Sequence, residues 1–108
     1  MAVILYSPAS PYSAKVRMAA AWCGIEVESR VVATDDAPGE LVSANPLGKI
    51  PTMVSDGVSL FDSRAITQHL NRLSKNALFP RNAQKRLEAE RLEALADGIC
   101  DCLLAHVY

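Results

Sequence analysis

The chain has 108 residues, 50% of them hydrophobic and 21% charged, which is the size and balance of one ordinary domain able to bury its own core. Its 11 Lys+Arg and 12 Asp+Glu leave a formal net charge of −1, which argues against an electrostatic grip on nucleic acid. No apolar run approaches the roughly 18–20 residues that cross a bilayer, so no membrane association is expected.

Ala2-Val3-Ile4-Leu5-Tyr6 is a short apolar run closed by Ser7-Pro8, the pattern of a strand buried on both faces. It is too short for a signal-peptide core and has no basic flank before it. Helical spacing follows, with Val16, Ala19, Ala20 and Cys23 on one face and Gly24 at the stop position. Glu26 to Val32 reads as a second strand, Thr34 to Pro38 as a polar connection, and Gly39 to Ala44 as a short helix. Asn45-Pro46-Leu47-Gly48-Lys49 is a turn by composition. Thr52–Ser55 and Val58–Phe61 flank Asp56-Gly57, the pair that a type I′ hairpin requires. Ser63 to Leu73 carries Ile66, Leu70 and Leu73 at helical spacing, with Asp62 or Ser63 as its cap. A strand–helix–strand start followed by a hairpin predicts an α/β fold, a mixed four-stranded sheet with helices on both faces.

Composition shifts after Lys75. Asn76 to Asn82 is a linker, and from Gln84 a long helix places Lys85, Arg86, Glu88, Glu90, Arg91 and Glu93 on its outer faces. Its apolar stripe is Leu92, Leu95, Ile99, Cys102 and Leu103. The stripe is still running at Tyr108, so it is expected to pack on a further helical partner, in a longer chain or in a second subunit. The three cysteines, Cys23, Cys100 and Cys102, show no zinc spacing and do not make a disulfide framework. A reduced, cytoplasmic setting without a metal is the expectation. His69 and His106 are read as surface or interface residues, and Met18 with Trp22 as a packing pair.

Three places carry chemistry. Ser10-Pro11 sits between the first strand and the first helix, with Ser at a favoured cap position and Pro next. Ser10 is then either a cap alone or part of an anion site at the helix N-terminus. Ile50-Pro51 precedes a strand. It is either an ordinary turn or, if the bond is cis, a place where the Ile50 main chain can pair with an extended peptide-like ligand. Asp62-Ser63 opens a helix. It is either a cap or a two-charge site, in which Ser63 and the helix end take a carboxylate while Asp62 takes an ammonium, as the α-amino-acid end of a ligand requires.

Taken together, Tyr6-Ser7-Pro8-Ala9-Ser10-Pro11, Asn45-Pro46-Leu47-Gly48-Lys49-Ile50-Pro51-Thr52 and Phe61-Asp62-Ser63-Arg64-Ala65-Ile66 resemble the glutathione-binding domain of the cytosolic glutathione S-transferases. The resemblance covers residues 1–80, and 84–108 resembles the first helix of that family's all-helical second domain. It implies a thioredoxin-like fold, a cis bond at Pro51, a homodimer, and glutathione with a small electrophile as substrates. By the same resemblance Ser10 is the hydroxyl of a serine-type transferase that activates the thiol. Ile50 and Pro51 present the backbone to the cysteinyl part, Asp62 and Ser63 hold the γ-glutamyl end, Lys49 reaches the glycyl carboxylate, and Arg64 contacts the glutamyl end or the partner subunit. The family usually has Glu before this Ser, so Asp62 keeps the charge and shortens its reach by one methylene. Two rivals stand beside this reading. Ser10-Pro11-Tyr12-Ser13 also resembles the glutaredoxin tetrad, but disulfide exchange needs a thiolate and no cysteine lies there. A non-catalytic glutathione-binding or regulatory module on the same fold is the alternative.

Overall fold

The computed structural model describes residues 1–32 and 39–107; the connection expected over Thr34–Pro38 and the His106 side chain lie outside the described residues. The elements are β1 (Ala2–Tyr6), α1 (Pro11–Trp22), β2 (Val27–Val31), α2 (Gly39–Ala44), β3 (Thr52–Ser55), β4 (Val58–Phe61), α3 (Ser63–Leu73) and α4 (Ala83–Val107). Their order along the chain matches the sequence expectation.

The strands form one mixed sheet in the order β2-β1-β3-β4. β1 runs parallel to β2, with Ile4 opposite Ser29, and antiparallel to β3, with Ile4 opposite Met53. β3 and β4 pair antiparallel as a hairpin, and both turn residues take positive φ, 50° at Asp56 and 78° at Gly57. That is the backbone of a type I′ turn, which Asn, Asp and Gly tolerate and β-branched residues do not.

The central position of β1 explains its continuous apolar run, since both faces are covered. Ile4, on one face, packs with Val16, Ala19 and Ala20 of α1, Met53 of β3, and Ile66 and Leu70 of α3. Leu5, on the other face, packs with Val32 and Leu41 of α2. Helices therefore cover both faces. Cys23 is half-buried and packs against the first of these clusters. β2 is an edge strand, which is why Glu28, Ser29 and Arg30 remain exposed along it.

Two expectations about helix faces change. Leu73 was expected on the buried stripe of α3, but it is 56% exposed and Asn71 is buried instead. The Asn71 Oδ1 accepts from the N–H groups of Leu78 (3.0 Å) and Phe79 (2.8 Å), fastening the linker to the helix. A returning loop brings backbone donors that only a polar side chain can satisfy. On α4, Arg86 and Glu93 were expected to face outward, and both face inward. The Arg86 guanidinium lies 5.6 Å from the Phe79 ring centroid and donates to Gln68 (2.6 Å). Glu93 accepts from Lys15 (3.2 Å) and from the Thr67 hydroxyl (2.7 Å).

Helix α4 thus docks through a polar seam. Glu93, Asp97 and Asp101 recur every four residues on one face, and Lys15 donates to Asp97 as well (3.0 Å). The apolar stripe faces away, with Leu92, Leu95, Ile99 and Leu103 all exposed. Met18 and Trp22, expected as a packing pair, are also exposed, and the Trp22 indole N–H donates to the Ala77 carbonyl (3.2 Å). No helix among the described residues is long and apolar enough to cross a membrane.

Candidate functional site

The three motifs meet beside the C-terminal end of β1, where α1, the turn before β3 and the start of α3 converge. The Ser7–Ser13 segment is built by reciprocal bonds. Ser10 caps α1, its Oγ accepting from the Ser13 N–H (3.1 Å), and the Ser13 hydroxyl accepts from the Ser7 N–H (3.3 Å). Ser13 is buried, so this lock is internal, whereas Ser10 is half-buried and borders open space. A serine hydroxyl that accepts one bond keeps its own proton for another partner. Because α1 begins at Pro11, which has no N–H, the free amides of the first turn begin beyond it.

A cavity of about 320 Å³ is lined by Ser10, Tyr12, Lys49 and Ile50, with Leu104 of α4 closing one side. Beside it lies a cleft of about 310 Å³ lined by Tyr12, Lys49, Ile50, Pro51, Asp62, Ser63, Arg64, Asp97 and Asp101. Tyr12, Lys49 and Ile50 border both. Ser10, Lys49, Ile50, Pro51, Asp62, Ser63 and Arg64, the site residues expected from the sequence, therefore all border these two adjoining spaces. The Ile50–Pro51 bond is cis, and neither the N–H nor the C=O of Ile50 takes part in a backbone hydrogen bond among the described residues.

Asp62 caps α3 with φ at 73°, a region that residues other than glycine rarely occupy. Its carboxylate accepts from the Arg64 N–H (2.9 Å), Nε (3.3 Å) and Nη2 (3.1 Å). The Arg64 side-chain bonds hold the Asp62 carboxyl below its ordinary value, against a smaller opposing push from burial. Ser63, the first residue of α3, is 8% exposed and lines the cleft.

Three contributors escaped the sequence reading. The Tyr12 hydroxyl donates to the Asp101 carboxylate, and burial followed by that bond pushes its phenol well above the ordinary range. Asp97 and Asp101 on α4, 85 and 89 residues along the chain from Tyr12, line the same cleft as Asp62. Their four-residue spacing with Glu93 was legible as a helix face, but nothing local says which way that face turns. Among the described residues no cluster of His, Cys, Asp and Glu is arranged to hold a metal ion.

A thioredoxin-like mixed sheet with helices on both faces, a cis-Pro beside the first helix and a capped third helix together define a glutathione-transferase-type domain. Comparison with known families agrees. Residues 9–73 match the model of the glutathione S-transferase N-terminal domain, and the chain belongs to that family.

Among curated proteins, the chain is 33% identical over 100 residues to the uncharacterized GST-like protein YibF of Escherichia coli (strain K12), covering 91% of this chain and 50% of that one. It is 35% identical over 85 residues to glutathione S-transferase D7 of Drosophila melanogaster, covering 73% and 38%. Among solved structures, a glutathione S-transferase from Methylobacillus flagellatus KT with glutathione bound superposes with a TM-score of 0.89 at 40% identity, covering 99% of this chain and 54% of that one. One from Methylobacterium radiotolerans in complex with glutathione sulfonate gives 0.88 at 32%, covering 96% and 50%. The chain spans half or less of the length of the curated relatives it matches first.

Proposed function

We propose that the groove binds glutathione and that the site activates its thiol for attack on a small electrophile. The observation that carries this reading is the unpaired Ile50 main chain beside the cis-Pro, set between an anion-ready helix start at Ser10 and a carboxylate–hydroxyl pair at Asp62-Ser63. The γ-glutamyl end supplies an ammonium for Asp62 and a carboxylate for Ser63 and the α3 N-terminus. Arg64, already holding Asp62, adds a cation at that end. The cysteinyl part pairs with Ile50 beside Pro51, the glycyl carboxylate lies within the reach of Lys49, and the sulfur lies toward Ser10. The two relatives whose structures carry glutathione or its sulfonate support the ligand class.

The chemistry asks for a thiolate. A free thiol with pKa near 8.5 is only a few per cent ionised at about pH 7. Lowering that by two units takes about 2.7 kcal/mol of selective anion stabilisation. A hydroxyl hydrogen bond to a charged group contributes about 1.5–3 kcal/mol, and a helix N-terminus roughly 0.3–1 kcal/mol. Their sum reaches the required size. Ser10 donates to sulfur and is not the nucleophile. The sulfur forms the new bond to the electrophilic centre as the bond to a leaving group breaks and that group departs with its electron pair, and the thiol proton leaves to solvent.

Residues 1–80 then form the glutathione-binding unit and 84–108 the first helix of a helical unit, with homodimerisation proposed for the intact protein. The test is glutathione binding followed by ultraviolet absorbance. Wild type is expected to show a thiolate band at neutral pH that Ser10→Ala weakens by tenfold or more while binding persists. Calorimetry with no heat from glutathione and a folded chain rejects the reading. A band that survives Ser10→Ala removes Ser10 from its role.

A further inference from the structure

The turn that presents Ile50 is tied from inside the protein by two side chains outside the cavity beside Ser10, Asn45 at the border of the neighbouring cleft and Thr52 in neither. Asn45 is 1% exposed and Thr52 is fully buried. The Asn45 Oδ1 accepts from the Leu47 N–H (2.9 Å), and its Nδ2 donates to the Lys49 carbonyl (3.0 Å) and to the Thr52 Oγ1 (3.2 Å). The Thr52 hydroxyl donates to the same Lys49 carbonyl (2.8 Å). One carbonyl is therefore held by two buried donors, one from each side of the turn.

A trans peptide plane points its C=O and its N–H in opposite directions. The plane that carries the Lys49 carbonyl also carries the Ile50 N–H. With the carbonyl fixed inward, that N–H is fixed outward, and it is one that finds no backbone acceptor among the described residues. We infer that Asn45 and Thr52 are positioning residues: by clamping the Lys49 carbonyl they aim the Ile50 N–H at the ligand's backbone, and Thr52, which lines neither cavity, sets affinity for an extended thiol peptide from behind the turn.

This inference rests on the proposed glutathione site, and the test separates the two. Glutathione binding by the 108-residue chain is measured by calorimetry, and the Ile50 amide is followed by nitrogen-15 relaxation without ligand. Thr52→Val removes one clamp and is expected to weaken glutathione binding about tenfold, the worth of one hydrogen bond. Thr52→Ser keeps the hydroxyl and is expected to stay within about twofold of wild type. In the free chain the Ile50 amide order parameter is expected to fall from about 0.85 toward 0.6 in Thr52→Val and to recover in Thr52→Ser, with Met53 unchanged. Should Thr52→Val not fold, Thr52→Ala carries the same expectation, since it too lacks the hydroxyl that donates to the Lys49 carbonyl. Equal affinity and an unmoved Ile50 amide in the valine or alanine variant overturn the inference. So does a loosening shared equally by Met53 and β1, which makes the pair merely structural. Absence of glutathione binding by wild type rejects the proposed function, and the ligand-free relaxation still decides whether the pair orients Ile50.

Discussion

The Arg64 guanidinium turns back on Asp62, two residues before it, and takes the carboxylate through Nε (3.3 Å) and Nη2 (3.1 Å) while the Arg64 N–H is capped by the same group. One carboxylate thus starts helix α3, pairs a cation, and faces the cleft. The pair is half-exposed, so water screens it and its worth is a few tenths to about 1 kcal/mol.

That pairing has a pH signature. Asp62 is held below its ordinary 3.8, chiefly by the Arg64 side chain. A depressed carboxyl contributes stability that is fully present above its unfolded value and is lost as pH falls through the lower folded value. Asp62→Asn keeps a capping side chain and removes the charge. Denaturant midpoints from neutral to acid are expected to show a constant gap between the two proteins above about pH 5, closing below about pH 4. A gap unchanged into strong acid contradicts the pairing.

Ser10 has a structural duty separate from the proposed one. Its Oγ caps α1 through the Ser13 N–H. Ser10→Ala is expected to lower stability by about 1 kcal/mol, and Ser10→Thr to restore most of it. Loss of the thiolate band in Ser10→Ala therefore counts only where the variant is folded under the assay conditions, which circular dichroism checks.

Lys15 holds α4 to the rest of the fold through Glu93 and Asp97, at side-chain exposures of 22% for the lysine and 13% for each acid. Lys15→Met leaves two acids without their cation. The expected loss is about 1–3 kcal/mol, between the worth of exposed and buried pairs. Hydrogen exchange is expected to quicken along α4 while the amides of β1 stay protected. Unchanged protection in α4 shows that the helix is held by something else.

Asn71 is the clearest fold determinant outside the groove. Asn71→Ala strands the N–H groups of Leu78 and Phe79, and Phe79 is 5% exposed. A buried orphan costs about 1–3 kcal/mol, and the half-buried Leu78 N–H costs less than the Phe79 one, so a loss of about 2–4 kcal/mol is expected in urea unfolding. A change below about 0.5 kcal/mol means water replaces the amide.

Tyr12 is held protonated by burial and by Asp101. Phenol absorbance is expected to show a fraction of the tyrosine signal that does not ionise at the ordinary value near 10, and that Tyr12→Phe deletes. The absorbance change near the ordinary value is therefore expected to be the same in wild type and Tyr12→Phe, and a variant that loses part of it argues against the Asp101 contact.

Much was legible before any tertiary information, for local reasons. A type I′ turn demands residues that tolerate positive φ, and Asp56-Gly57 says so by itself. A cap needs a short polar side chain at a helix start, and Ser10 and Asp62 are that. A strand covered on both faces must be apolar throughout, as Ala2–Tyr6 is. The direction in which α4 faces could not be read this way. Its apolar stripe is the natural candidate for the buried side, yet Glu93, Asp97 and Asp101 turn inward because Lys15 and Tyr12 on α1 offer them charge and a donor. The same holds for Asn71, whose value depends on two N–H groups that a distant bend brings to it, and for the Lys49 carbonyl, whose two donors come from either side of a turn. Short-range rules follow from a residue's own backbone and neighbours. A polar group's partner across the fold is a matter of where the chain returns, and only packing decides that.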